Sequence, residues 1–76
     1  MKHIKVQYYA VFREQKGMSE ETVSTESATA ADLYRELGLR LDPAIVRASI
    51  NLQFKPMTTE LCDGDAVVFI PPVAGG

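Results

Sequence analysis

From Ile4 to Phe12 the apolar side chains fall at every second position, Ile4, Val6, Tyr8, Ala10 and Phe12. Lys5, Gln7, Tyr9, Val11 and Arg13 take the alternate places. A period of two is the mark of a strand with one buried face, so the pattern predicts a strand over residues 4–12. Glu14 to Ser19 holds Gly17 and reads as a loop. Beyond it Glu21 to Thr25 alternates again and carries β-branched residues, which predicts a second strand antiparallel to the first. At Thr29-Ala30-Ala31-Asp32 the period changes. The threonine hydroxyl is placed to accept from the first free amides of a helix, and an acid three residues on is placed to answer it. Leu33 and Leu37 then share one face with Ala30, and Gly38 supplies a residue suited to closing the helix after about nine residues. Asp42-Pro43 has the order of a cap followed by a first helical residue, and predicts one further brief turn.

Arg47 to Asn51 reads as a third strand through Ala48 and Ile50, and Gln53 to Lys55 as a short fourth. Asn51-Leu52 makes the reversal between them, and Pro56 ends the pairing. Asp63-Gly64-Asp65 marks a turn. Ala66-Val67-Val68-Phe69-Ile70 is an unbroken apolar run, as expected of a central strand covered on both faces. Five strands and one main helix in so short a chain imply an α+β fold, a mixed five-stranded sheet with the helix packed on one face, which is the order of the β-grasp or ubiquitin-like fold. The organisation expected is one domain over residues 1–70 and an extended, flexible tail over 71–76.

Length sharpens the picture. Seventy-six residues hold one small domain, and at that size roughly 60% of the unfolded surface can be buried, which leaves little room for a deep catalytic pocket. Hydrophobic residues at 46% exclude a wholly disordered chain. Eight basic against ten acidic residues, with the basic ones scattered, argue against nucleic-acid binding. Cys62 is the sole cysteine, so no internal disulfide forms, and no cluster of thiols and histidines offers a metal site. No apolar run is long enough to cross a bilayer, and the expected location is the cytoplasm.

The tail carries the chemistry. At an average glycine usage of about 7%, two successive final glycines arise by chance about once in two hundred chains. Pro71 and Pro72 donate no backbone hydrogen bond and favour an extended path, so they eject the chain from the sheet. Gly75 and Gly76 lack a Cβ and could thread a narrow channel in another protein, presenting the Gly76 carboxylate. The bland alternative is a frayed terminus.

The fold order with Ile4-Lys5-Val6, Tyr8-Tyr9-Ala10, Arg13-Glu14, Ile50-Asn51, Asp63-Gly64-Asp65 and the ending Pro71-Pro72-Val73-Ala74-Gly75-Gly76 resembles the molybdopterin synthase small subunits, members of the MoaD/ThiS superfamily of ubiquitin-related sulfur carriers. The stretch from Gly38 to Arg47 is shorter than in many members. The resemblance implies that a ubiquitin-activating-type adenylyltransferase uses ATP to convert Gly76 to an acyl-adenylate, and that sulfur then displaces AMP to leave a thiocarboxylate. That group would enter the large synthase subunit and donate sulfur to a pterin precursor, building the dithiolene. No stably bound cofactor, no independent catalysis and a heterotetramer of two small and two large subunits are implied with it. Gly76 is the implied reacting site and Gly75 its clearance residue. Tyr9, Arg13, Phe54 and Ile70 match the family's docking surface, and Pro71, Pro72, Val73 and Ala74 lead into the partner.

Other readings stay open at this point. The sulfur could serve thiamin, cysteine or transfer-RNA thiolation, or the chain could be a modifier joined through Gly76 to lysines. A plain interaction module is a third class. Tyr9 and Phe54 could instead fill a second small core, and Arg13 could be a solvated charge. Cys62, beside Leu61, reads as a small buried hydrophobe, although a persulfide role is conceivable. His3 stands alone, and Asp63 and Asp65 are explained by their turn. No serine has a histidine partner.

Overall fold

The computed structural model describes residues 1–72. In chain order the elements are β1 (Lys2–Tyr8), α1 (Val11–Lys16), β2 (Glu20–Thr25), α2 (Ala30–Glu36), a 3-10 turn (Pro43–Ile45), β3 (Arg47–Ile50), β4 (Gln53–Lys55) and β5 (Ala66–Ile70). The five strands form one sheet in the order β2-β1-β5-β3-β4. β5 lies at its centre, parallel to β1 and antiparallel to β3, and the two outer pairs are antiparallel. This is the mixed β-grasp sheet that the sequence pattern predicts. No helix among the described residues is long and apolar enough to cross a membrane.

Alternation decides which face is buried. Ile4, Val6 and Tyr8 of β1, Val67 and Phe69 of β5, and Ala48 and Ile50 of β3 point to one side and join Ala30, Leu33 and Tyr34 of α2 in a single core. Tyr34 sits at its middle. Its ring meets Phe12 edge-on at 5.8 Å and Phe69 edge-on at 5.3 Å, and its hydroxyl donates to the Leu41 carbonyl at 2.8 Å. A buried tyrosine needs such a partner, and this bond also ties down the chain that follows α2.

The ends of α2 follow local chemistry. Thr29 Oγ1 accepts from the Asp32 amide at 3.2 Å, as its capping position requires. Asp32 does not reach back to complete the predicted box; its carboxylate pairs with Arg35 one turn on. The amides of Ala30 and Ala31 donate instead to the carbonyls of Thr59 and Met57, so the loop after β4 satisfies the helix start. At the other end Glu36 accepts from the hydroxyls of Thr25 at 2.5 Å and Ser27 at 2.6 Å. These bonds hold its carboxyl below the usual range, Ser27 first and Thr25 second. The helix runs seven residues where the pattern suggests about nine, and Gly38 follows it with φ 73°.

Two predicted boundaries are corrected. The first strand stops at Tyr8 instead of running to Phe12, and Val11–Lys16 is a helix where a loop is expected at Glu14 to Lys16. The reason is that a longer strand would have no ladder partner: pairing with β2 ends at Gln7–Glu20, and β5 runs into Pro71, which has no amide hydrogen. The chain turns at Ala10, at φ 50° and ψ −123°, with the Phe12 amide donating to the Tyr9 carbonyl at 3.0 Å. That is the first central position of a type II′ turn, a conformation natural to glycine that costs another residue about 1–3 kcal/mol. Phe12 keeps the parity of the strand pattern yet is buried from the helix. Gly17, at φ 69°, closes α1.

The predicted turns hold. Asp63 Oδ1 accepts from the His3 amide at 2.6 Å, and Asp65 accepts from the Cys62 amide at 2.8 Å and from Asn51 Nδ2 at 2.9 Å. Asn51 Oδ1 in turn accepts from Ala66. Asn51 and Leu52 both have positive φ, the geometry of a tight hairpin. Asp42 accepts from the Ala44 amide and starts the 3-10 turn.

Because Phe12 is fully buried against Tyr34, Phe12→Ala should lose about 3–5 kcal/mol of unfolding free energy in urea titration. Glu36 supplies a pH dependence. With its folded-state pKa below the ordinary 4.5, its stabilisation is present above that value and lost as pH falls through the folded one. Denaturant titrations below pH 4.5 should therefore show Glu36→Gln losing stability less steeply than the parent chain.

Candidate functional site

The end of β5 is where the predicted site residues meet. Ile70, its last residue, is half-buried, Pro71 is half-buried and Pro72 is exposed. Tyr9, just beyond β1, is 46% exposed. Tyr9, Ile70, Pro71 and Pro72 line one open groove of about 610 Å³ together with Ala10, Val11 and Leu41. β1 and β5 bring this about by running parallel, with Tyr8 opposite Phe69, so that their ends lie side by side. On the other side of Pro71-Pro72 a second hollow is lined by Ala44, Ile45, Val46 and Arg47. The root of the tail therefore stands between two depressions.

Phe54 is elsewhere. It lies on β4 opposite Ser49, 69% exposed, in a shallow hollow with Arg47, Ala48, Lys55 and Pro56. Register places Phe54, Ser49, Val68 and Gln7 in one row on the sheet face away from α2. Phe54 fills no second core, while Arg47 links its hollow to the one at the tail. Arg13 is exposed on α1, two residues past Val11. Among the described residues Arg13, Arg47 and Lys55 have no carboxylate within ion-pair distance, in contrast to Lys5, Lys16 and Arg35. Val73, Ala74, Gly75 and Gly76 lie outside the described residues.

Val11 and Tyr9 do not occupy the outer face of a strand, as the alternation suggests; they flank the Ala10 corner. The position of α1 is set by contacts made farther along. Phe12 enters the core, Gln15 accepts from the Arg40 amide at 3.1 Å, and Lys16 Nζ donates to the Leu37 carbonyl at 3.2 Å. Lys16 also lies 3.8 Å from Glu21, which accepts from the Tyr8 hydroxyl at 2.5 Å. Burial, with Glu21 at the hydroxyl, pushes the Tyr8 phenol above its ordinary range and keeps it a donor.

The groove's lining side chains carry one hydroxyl, that of Tyr9, and no carboxylate, imidazole, amine or thiol. Such a lining suits contact with an apolar surface. Leu41 and Ala10 are groove residues that the sequence reading misses, Ala10 being exposed where the alternation puts it on the buried face. Leu41 carries a weak signal, an apolar residue just before Asp42-Pro43 and off the α2 stripe.

Cys62 is corrected. It is exposed, because Leu61 takes the inward position at 4% exposure and the Cys62 amide is held in the turn by Asp65. It stands before the start of β5, at the other end of that strand from Pro71. His3 is at the surface, 3.2 Å from Asp63. The His3 amide, and after it the His3 ring, hold the Asp63 carboxyl below its usual range. Among the described residues no group of three His, Cys, Asp or Glu side chains is placed to hold a metal ion.

A protein-family profile described as the ThiS family matches residues 6–76. No curated protein matches the chain. Among solved structures, a putative molybdopterin converting factor subunit 1 from Pyrococcus furiosus is 31% identical, with a TM-score of 0.76 over 96% of this chain and 100% of that one. Small archaeal modifier protein 1 from Haloferax volcanii has a TM-score of 0.78 at 18% identity, over 96% of this chain and 100% of that one. A complex of subunits 1 and 2 of the molybdopterin-converting factor from Helicobacter pylori matches with a TM-score of 0.64 at 20% identity, over 97% and 99% of the two chains. The chain belongs to the ThiS family of ubiquitin-like sulfur carriers.

Since Phe54 is largely solvated and Phe12 is not, Phe54→Ala should change unfolding free energy by no more than about 0.5 kcal/mol in the same urea titration.

Proposed function

We propose that this ThiS-family chain is the sulfur-carrying small subunit of molybdopterin synthase, with Gly76 as the reacting residue. The observation that carries the reading is the end of β5. A strand paired along both edges runs into Pro71-Pro72 beside an apolar groove, and four residues separate Pro72 from the Gly76 carboxylate. The body is thus a fixed handle and the end a reagent. The likeness at 31% identity to a putative molybdopterin converting factor subunit 1 supports the choice of pathway.

In this reading a carboxylate oxygen of Gly76 attacks the α-phosphorus of ATP on an adenylyltransferase of the ubiquitin-activating type, and pyrophosphate leaves. The acyl-adenylate has a good leaving group where the carboxylate had none. Sulfur delivered at the level of sulfide attacks the acyl carbon, AMP departs with the bonding pair, and a thiocarboxylate remains. In the large subunit that ionised, soft nucleophile gives its sulfur to the pterin precursor. The carrier's own residues do two things: Tyr9, Ile70, Pro71 and Pro72 dock and aim the end, and Gly75 lets it pass a narrow channel. ATP is consumed on the activating enzyme, and this chain holds no lasting cofactor. The pairing of subunits 1 and 2 in the Helicobacter pylori complex supports a large-subunit partner here; the heterotetramer of two small and two large subunits is what the family resemblance implies. Arg13 and Phe54 extend the docking surface, and Val73 and Ala74 enter the partner.

A second reading is favoured by the likeness to small archaeal modifier protein 1: the same adenylated end joined to lysines of other proteins. The two separate by mass. The peptide ending at Gly76, from protein isolated out of its own cells, should have one oxygen replaced by sulfur, and deletion of Gly76 should abolish cofactor synthesis in cells that depend on this chain. Gly76 found in isopeptide linkage to lysine, with no thiocarboxylate in cells making the cofactor, would establish the modifier instead.

A further inference from the structure

The Ala10 corner is held against its own conformational preference. A backbone at φ 50° and ψ −123° suits glycine, and such strain persists where surrounding contacts over-determine it. Here they do. β1 is fixed by ladders on both edges up to Gln7 and by β5 at Tyr8, and α1 is pinned by Phe12, Gln15 and Lys16, so the misfit between them collects on one residue. Glycine would remove the strain and leave every one of those contacts in place. What it would remove besides is a methyl group, and Ala10 is an exposed residue lining the groove between Tyr9, Val11 and Pro71.

We propose that the Ala10 methyl group is a contact for the enzyme that adenylates Gly76, kept on a strained corner because glycine could not make it. The inference rests on the proposed function and names one feature of its docking surface. Reach brings that enzyme onto this surface. Four residues beyond Pro72 span at most about 14 Å when fully extended, so an enzyme that encloses the Gly76 carboxylate also lies over the root of the tail. The groove around Ala10 opens at that root and its lining is apolar, so the enzyme surface seated there is apolar too.

The test is ATP–pyrophosphate exchange by the activating enzyme with the full chain as variable substrate, together with thermal unfolding. Ala10→Gly should melt at a higher temperature than the parent, because the strain released exceeds the entropy that glycine adds to the unfolded chain. Its KM should rise roughly fourfold at unchanged kcat, the worth of one buried methyl group. Leu52→Gly is the control. Leu52 also has a positive φ, 70°, and is 95% exposed on the β3–β4 reversal, outside the groove, so this change should raise the melting temperature and leave KM alone. An unchanged KM for Ala10→Gly, an equal rise for Leu52→Gly, or no gain in melting temperature at Ala10 would each overturn the inference. No exchange with the parent chain would instead overturn the reading of Gly76 as an adenylated end, and the inference with it.

Discussion

β5 is hydrogen-bonded along both edges, and the rest of the molecule is arranged around that constraint. A central strand cannot fray or slip without breaking two ladders, and a shift of one residue would turn Val67 and Phe69 out of the core. The double pairing covers Val67 to Phe69, and Ile70 keeps its partner on β3, Arg47. Pro71 then ends the pairing outright, having no hydrogen to offer. Pro71 and Pro72 thus stand outside the ladders directly after the central strand, which is what a carrier needs if its end is to be aimed by a rigid body.

The core transmits that fixity to the groove. Tyr34 links Phe69 of β5 to Phe12 of α1 through two edge-on ring contacts, and its hydroxyl holds the Leu41 carbonyl. Leu41 and Val11 are both lining residues of the groove, so both of its outer walls are attached through one buried side chain to the strand that ends in the tail. Lys16 adds a polar clasp between α1, the end of α2 and β2. The groove is in this sense a surface feature with a core foundation, although none of its own side chains is fully buried.

The sequence of elements, the central place of β5, the Thr29 cap and the Asp63-Gly64-Asp65 turn are legible in the sequence, because each rests on local chemistry or on the hydrophobic pattern, whereas the parallel pairing of β1 with β5 is fixed only by the fold as a whole. α1 is not legible either. Phe12 falls on the beat of the strand and is buried as the pattern requires, so periodicity cannot tell a continued strand from a chain that turns and buries the same residue from a helix. The corner that separates the two cases is marked by alanine, which carries no turn signal, whereas Gly17, Gly38 and Gly64 all mark turns that the reading finds. Site residues follow the same rule. Ile70, Pro71 and Pro72 are adjacent in sequence and Tyr9 is brought beside them by the strand pairing. Leu41 arrives through the Tyr34 bond, which no spacing announces, and Cys62 points outward because Leu61 already fills the inward place.

The positions of positive φ show how stability is distributed over the surface. Gly17, Gly38 and Gly64 take up left-handed backbone without strain, and Asn51 is a residue type that tolerates it. Only Ala10 and Leu52 adopt it against preference among the described residues. Leu52 sits on a two-residue reversal whose partner Asn51 also bonds Asp65 and Ala66, so hairpin geometry accounts for its conformation. Ala10 takes the first central position of a type II′ turn, which a residue other than glycine adopts at a cost. Its strain is imposed by β1 on one side and α1 on the other, and it lies where the body meets the tail. A small domain with little stability to spare retains a misfit of that kind only where the surrounding packing enforces it, and here the enforced geometry is also a wall of the groove that Pro71 and Pro72 line.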